Sequence, residues 1–153
     1  MNFVGQNSKL LPVVDVDGDG DLDAFVGKHG IYYYETGGET QFYKNIGTPN
    51  KPNFAAAIAN PFGLTDVGSF SSPAFADIDN DNDLDAFIGN EMGNLEFFRN
   101  IGTTENPVFA SPITNPFGLS DVGNNASPTF IDIDKDGDLD AFVSSSENYA
   151  FDS

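Results

Sequence analysis

Three nine-residue stretches place aspartate at every second position: DVDGDGDLD (Asp15–Asp23), DIDNDNDLD (Asp77–Asp85) and DIDKDGDLD (Asp132–Asp140). The five odd positions are aspartate each time, and positions 2, 4 and 6 vary. Two carboxylates about 5 Å apart repel by roughly 3 kcal/mol at an effective dielectric near 20. Five of them in one turn either stay extended in water or share a cation. A solvated acidic run needs negative charge but no fixed spacing. Three copies with alternate residues held constant require a geometry.

Calcium fits that geometry. It takes six to eight oxygens from carboxylates, backbone carbonyls and water. Positions 1, 3 and 5 of such a loop point inward: Asp15, Asp17 and Asp19; Asp77, Asp79 and Asp81; Asp132, Asp134 and Asp136. Position 6 turns sharply and favours Gly or Asn, here Gly20, Asn82 and Gly137. Asn at this turn costs a few tenths of a kcal/mol relative to Gly, which argues for a second loop no tighter than the third. Position 7 (Asp21, Asp83, Asp138) is expected to give its backbone carbonyl, and position 9 (Asp23, Asp85, Asp140) closes the shell. The expectation is three Ca²⁺ sites. An EF-hand is excluded, because its twelfth position requires Glu and these copies carry Val26, Ile88 and Val143 there. The flanks LLPVV, SPAFA and SPTFI upstream, and DAFVG, DAFIG and DAFVS downstream, are short apolar runs punctuated by Pro and Gly. They read as β-strands, so each loop joins two strands.

The repetition extends beyond the aspartates. NPFGLTDVG (Asn60–Gly68) returns as NPFGLSDVG (Asn115–Gly123), and KNIGT (Lys44–Thr48) as RNIGT (Arg99–Thr103), each 55 residues later. Such a period signals a propeller, solenoid or array. The first two acidic loops are 62 residues apart, and the seven extra residues fall between Gly27 and Asn45. In the second copy, SPAFADI, LDAFIGN and GNLEFFRN read as three strands and PVFA as a short fourth. FAAAIAN looks mildly helical alone, but its counterpart FASPITN carries Pro112, which disfavours a regular helix. Four short antiparallel strands per unit and no helix is the pattern of a propeller blade. The fold class expected is therefore all-β, with propeller-like four-stranded blades in about three repeats, the last incomplete. The 153 residues make one repeat domain, with approximate units 1–59, 60–114 and 115–153.

These features resemble the FG-GAP and VCBS-type repeats of integrin α-subunit propellers and bacterial surface proteins. The resemblance rests on the Asp loop between two strands, the Phe-x-Gly after it (Phe25–Gly27, Phe87–Gly89) and the Ser-Pro before it (Ser72-Pro73, Ser127-Pro128). A literal Gly-Ala-Pro is absent, and the third copy ends in Ser144 in place of Gly. The resemblance implies Ca²⁺ held between the first and second strands of each blade, and an extracellular or cell-surface setting. Propellers of that family usually have seven blades, and three cannot close a ring. Self-association through incomplete terminal blades is the corresponding expectation.

Composition narrows the function. Fifteen Phe and 39% hydrophobic residues are too apolar for a disordered acidic tail. Six Lys plus Arg against 24 acids argue against nucleic-acid binding. No run approaches 18 apolar residues, so no membrane span is expected. One histidine and no cysteine leave no zinc or triad constellation, and no enzyme is expected. A binding or adhesion module with a glycan or protein ligand is the leading reading, and a self-assembling surface or fibre protein is the alternative. Tyr32, Tyr33, Tyr34 and Tyr43, in IYYYETGGETQFYK, offer amphipathic contact area and are the candidate ligand-binding residues. Phe62 and Phe117, in the NPFGL loops, are expected as plugs between blades.

Overall fold

The computed structural model describes residues 12–29 and 37–146. These form three antiparallel sheets of four, four and two strands, none closed into a barrel. The first contains β1 (Val13–Val14), β2 (Asp23–Gly27), β3 (Thr40–Tyr43) and β4 (Ile58–Ala59). The second contains β5 (Ser72–Ala76), β6 (Asp85–Gly89), β7 (Leu95–Phe98) and β8 (Ile113–Thr114). The third is the hairpin β9 (Ser127–Ile131) and β10 (Asp140–Ser144). Within each sheet the strands lie side by side in chain order, as in a propeller blade.

Phenylalanine spacing builds the core between sheets. Phe25 of β2 lies opposite Phe42 of β3, with ring centroids 4.9 Å apart, and meets Phe75 of the next sheet at 4.4 Å. The same triple recurs one unit on. Phe87 pairs with Phe97 at 4.7 Å and meets Phe130 of the third sheet at 4.5 Å. Phe25 and Phe87 have no exposed surface. Burying such a ring stabilises by about 1.5–3 kcal/mol. The middle sheet is covered on both faces, and all five residues of β6 are buried.

The glycine of each Phe-x-Gly is required by this stacking. A Cβ on Gly27 would lie 1.8 Å from the Ser71 carbonyl oxygen, and one on Gly89 would lie 2.1 Å from that of Ala126. Each glycine lets the next unit's backbone cross directly over the end of the second strand. Ser144 takes this position in the third sheet, where it is exposed and its Oγ bonds the Ser127 carbonyl within its own hairpin.

The fourth strand differs from the expected one. Regular pairing falls on Ile113–Thr114, whereas PVFA contributes only the isolated bridge Asn100↔Phe109. Between that bridge and the pair Phe97↔Ile113, the outer chain carries one residue more than β7. This is a bulge. The first unit repeats it between Asn45↔Phe54 and Phe42↔Ile58, so the cause is not Pro112. FAAAIAN forms no helix, and its end pairs as β4.

The NPFGL turns carry Asn60 and Asn115 at φ 47 and Phe62 and Phe117 at φ 58 and 59. The Asn side chains hold these left-handed turns in place, accepting from the backbone N–H of Thr40 and of Leu95. Phe62 packs against the hydrophobic clusters of both the first and the second sheet. Phe117 makes the equivalent contact with Phe97 at 5.1 Å yet remains 68% exposed. The plug therefore forms at Phe62. At Phe117 nothing among the described residues covers its outer side.

Candidate metal centres

Each acidic loop is held by its own carboxylates. The position 1 aspartate accepts from the position 6 N–H: Gly20 to Asp15 at 3.0 Å, Asn82 to Asp77 at 3.0 Å, and Gly137 to Asp132 at 3.2 Å. The position 5 aspartate accepts from the position 7 N–H: Asp21 to Asp19 at 3.0 Å, Asp83 to Asp81 at 3.1 Å, and Asp138 to Asp136 at 2.9 Å. Position 6 is left-handed throughout, with φ 89 at Gly20, 72 at Asn82 and 99 at Gly137. Position 4 is left-handed as well, at Gly18, Asn80 and Lys135. For Lys135 this conformation is strained.

The turns bring carboxylates together. In each of the triples Asp15–Asp17–Asp19, Asp77–Asp79–Asp81 and Asp132–Asp134–Asp136, one oxygen per residue lies within 4.8 Å of the others. The loops differ in how they are closed. Asp23 and Asp85, at position 9, are buried. Each accepts through Oδ1 from a backbone N–H just past the third strand, Asn45 and Asn100 respectively, both at 2.7 Å. Asp140 is exposed and accepts from the Ile133 N–H at 3.1 Å. Thr104 joins the first two loops. Its hydroxyl donates to the Asn82 carbonyl, and its methyl group lies over Gly18.

Electrostatics follows burial. Desolvation pushes the Asp23 carboxyl up to about 6, against the favourable Asn45 N–H and with Asp17 and Asp19 adding repulsion. Asp85 is likewise pushed up to about 6 by burial. Asp83 is raised by burial and then by Asp81. The Asp21 N–H, followed by Lys44, holds Asp19 below the usual carboxylate range.

Several carboxylate oxygens are buried without any hydrogen-bond partner: Oδ1 of Asp15, Asp17 and Asp21 and Oδ2 of Asp23 in the first loop, and Oδ1 of Asp83 and Oδ2 of Asp85 in the second. A buried unpartnered carboxylate oxygen is costly. A hard cation with oxygen ligands removes that cost, and the donor set here is all oxygen. The residues present fit calcium on this test. Position 7 buries a side-chain oxygen in both loops, in addition to the backbone carbonyl expected there.

The geometry agrees with the comparison to known families. The model of the FG-GAP-like repeat matches residues 15–88 and again 77–143. The chain belongs to the FG-GAP-like repeat family. No curated protein and no solved structure matches it. Both FG-GAP-like matches begin at an acidic loop and run through the next loop into the strand after it.

The remaining candidate residues of this FG-GAP-like chain fall elsewhere. Tyr32, Tyr33 and Tyr34 lie outside the described residues. Tyr43 ends β3 opposite Ala24 and is half-buried. Asp66 accepts from the N–H groups of Gly38 and Gly68, and Asp121 from that of Gly123, so both close turns. Four residues of the loops' surroundings were not singled out from sequence: Asn45 and Asn100, whose N–H groups hold the closing aspartates, and Lys44 and Arg99, which form ion pairs with the loops. The signal that finds them is the repeated KN/RN of KNIGT and RNIGT.

Proposed function

We propose that the chain is a calcium-binding repeat module of the cell surface or extracellular space, serving adhesion or ligand binding. The observation that carries the calcium reading is the set of buried, unpartnered carboxylate oxygens in the first two loops. Asp15, Asp17, Asp19, Asp21 and Asp23 would hold one ion, and Asp77, Asp79, Asp81, Asp83 and Asp85 a second. Asp132, Asp134, Asp136, Asp138 and Asp140 would hold a third in a more open loop. The ion would neutralise the carboxylates and lock each β-hairpin to its loop. Family membership supports the surface setting. No helix among the described residues is long and apolar enough to cross a membrane. A glycan or protein ligand suits the face opposite the metal loops, which carries the NPFGL turns. No catalytic role is assigned. Binding to the native state alone stabilises it by mass action. Thermal unfolding in millimolar calcium is expected to give a midpoint well above that in excess chelator, and equal midpoints would refute calcium binding.

Self-association has its own supporting observation. Phe142 of β10 is 49% exposed, whereas Phe25 and Phe87 at the equivalent positions are fully covered by the following sheet. Another copy's sheet laid on this face would bury it. Sedimentation in calcium tests this reading. Concentration-dependent growth in mass supports it, and a monomer at high micromolar concentration contradicts it.

A further inference from the structure

The first two metal loops each carry a cation of their own. Lys44 Nζ pairs with Oδ2 of Asp17 and, at 3.1 Å, with Oδ2 of Asp19. Arg99 Nη2 lies 2.5 Å from Oδ2 of Asp79 and 3.8 Å from Oδ2 of Asp81. Isolated surface ion pairs contribute little, but this contact is made twice. Two side chains of different length and shape, at repeat positions 55 residues apart, reach the same loop positions, 3 and 5. What the two copies share is the charge. Among the described residues no ion pair is formed with an aspartate of the third loop.

The cation does not plug the site. Lys44 takes the Oδ2 atom of Asp17, while Oδ1 of the same carboxylate is buried and unpartnered. One oxygen thus faces the resident charge, and the other stays available to a metal. A fixed positive charge here has two effects of opposite sign. Without metal it offsets the repulsion among five carboxylates. With metal it opposes the incoming divalent ion and lowers the loop's net negative charge, the property that tunes calcium affinity.

We infer that Lys44 and Arg99 are resident counter-ions of the first two loops, holding them folded when metal-free and weakening their calcium uptake. The inference rests on the calcium reading above. It assigns affinity control to residues outside the aspartate motif.

The test is a calcium titration followed through backbone amide shifts of Gly20, Asn82 and Gly137, which report the three loops separately. The variants are Lys44→Met and Arg99→Met, with Lys44→Arg keeping the charge and Lys28→Met removing a charge paired elsewhere, with Glu39. Lys44→Met is expected to saturate Gly20 at about tenfold lower calcium, and Arg99→Met to do the same for Asn82. Gly137 should not move in either. In excess chelator both variants should melt about 2–4 °C lower. Lys44→Arg and Lys28→Met should titrate like the unaltered chain. Gly20 and Asn82 curves that superimpose on the unaltered protein, or shift to higher calcium, overturn the inference and leave calcium binding standing. No response to calcium in any variant removes both.

Discussion

The second and third blades carry the same nine-residue loop and bury it differently. In the second, β6 is covered on both faces, Asp85 is enclosed, and the Asn100 N–H holds it. In the third, the sheet has only β9 and β10 among the described residues, Asp140 is exposed, and its partner is the Ile133 N–H of its own loop. The difference shows that the aspartate motif specifies the turn and the carboxylate cluster. The third strand and the adjoining blade turn that cluster into a desolvated cage. The Asn82 turn and the Arg99 counter-ion argue for a second loop no tighter than the third. Burial of Asp83 and Asp85 and the strained Lys135 in the third loop argue the other way, and the desolvation of the buried carboxylates is the larger effect.

The most severe test of this contrast is at the blade junction. Gly89→Ala drives a Cβ into the Ala126 carbonyl, and we expect a loss of about 3 kcal/mol. Ser144→Ala, at the equivalent but uncovered position, should change stability by less than about 0.5 kcal/mol. Denaturant melts of both variants in calcium check the pair.

A smaller effect, with a change of sign, is expected at the closing aspartates. Asp85→Asn removes a buried charge but keeps an acceptor for the Asn100 N–H. In calcium the variant should lose about 2 kcal/mol through weakened ion binding, and in chelator it should gain about 1 kcal/mol. Asp140→Asn should show much less of either. Equal behaviour of the two variants would remove the distinction between the loops.

The pH dependence separates the loops more finely. Asp23 and Asp85 have folded-state pKa values raised to about 6. The native metal-free state therefore binds more protons than the unfolded chain between the ordinary Asp range and about pH 6. Stability from this source is fully present below about pH 4 and is lost as pH rises through 6. Metal-free protein should thus melt higher at pH 5 than at pH 7, by about 1–2 kcal/mol per group. Calcium-loaded protein should show the reverse order, because protons compete with the ion for these carboxylates. An Asp23→Asn, Asp85→Asn double variant should lose most of the metal-free dependence.

Much of this architecture was legible in the sequence because it repeats. The period-two aspartates, the flanking apolar runs and the Phe-x-Gly each occur more than once. Ser144 in place of Gly already separated the third copy from the others. What stayed hidden depends on register or on distance in the chain. The bulge moved the regular fourth strand from PVFA to Ile113–Thr114, and a one-residue offset leaves no compositional trace. The left-handed position 4 was masked by three different residues, Gly18, Asn80 and Lys135. The charges of Lys44 and Arg99 lie 14 or more residues from the loops they neutralise, so only the fold brings them there. Phe62 and Phe117 sit in near-identical nonapeptides, and only the neighbouring blade distinguishes a packed ring from an exposed one.

Calcium uptake per chain, measured by equilibrium dialysis with the free concentration raised into the millimolar range, tests the central claim most directly. The burial contrast predicts saturation at three ions per chain, with two taken up before the third. No uptake at millimolar calcium, or three equivalent sites with one common affinity, would contradict it.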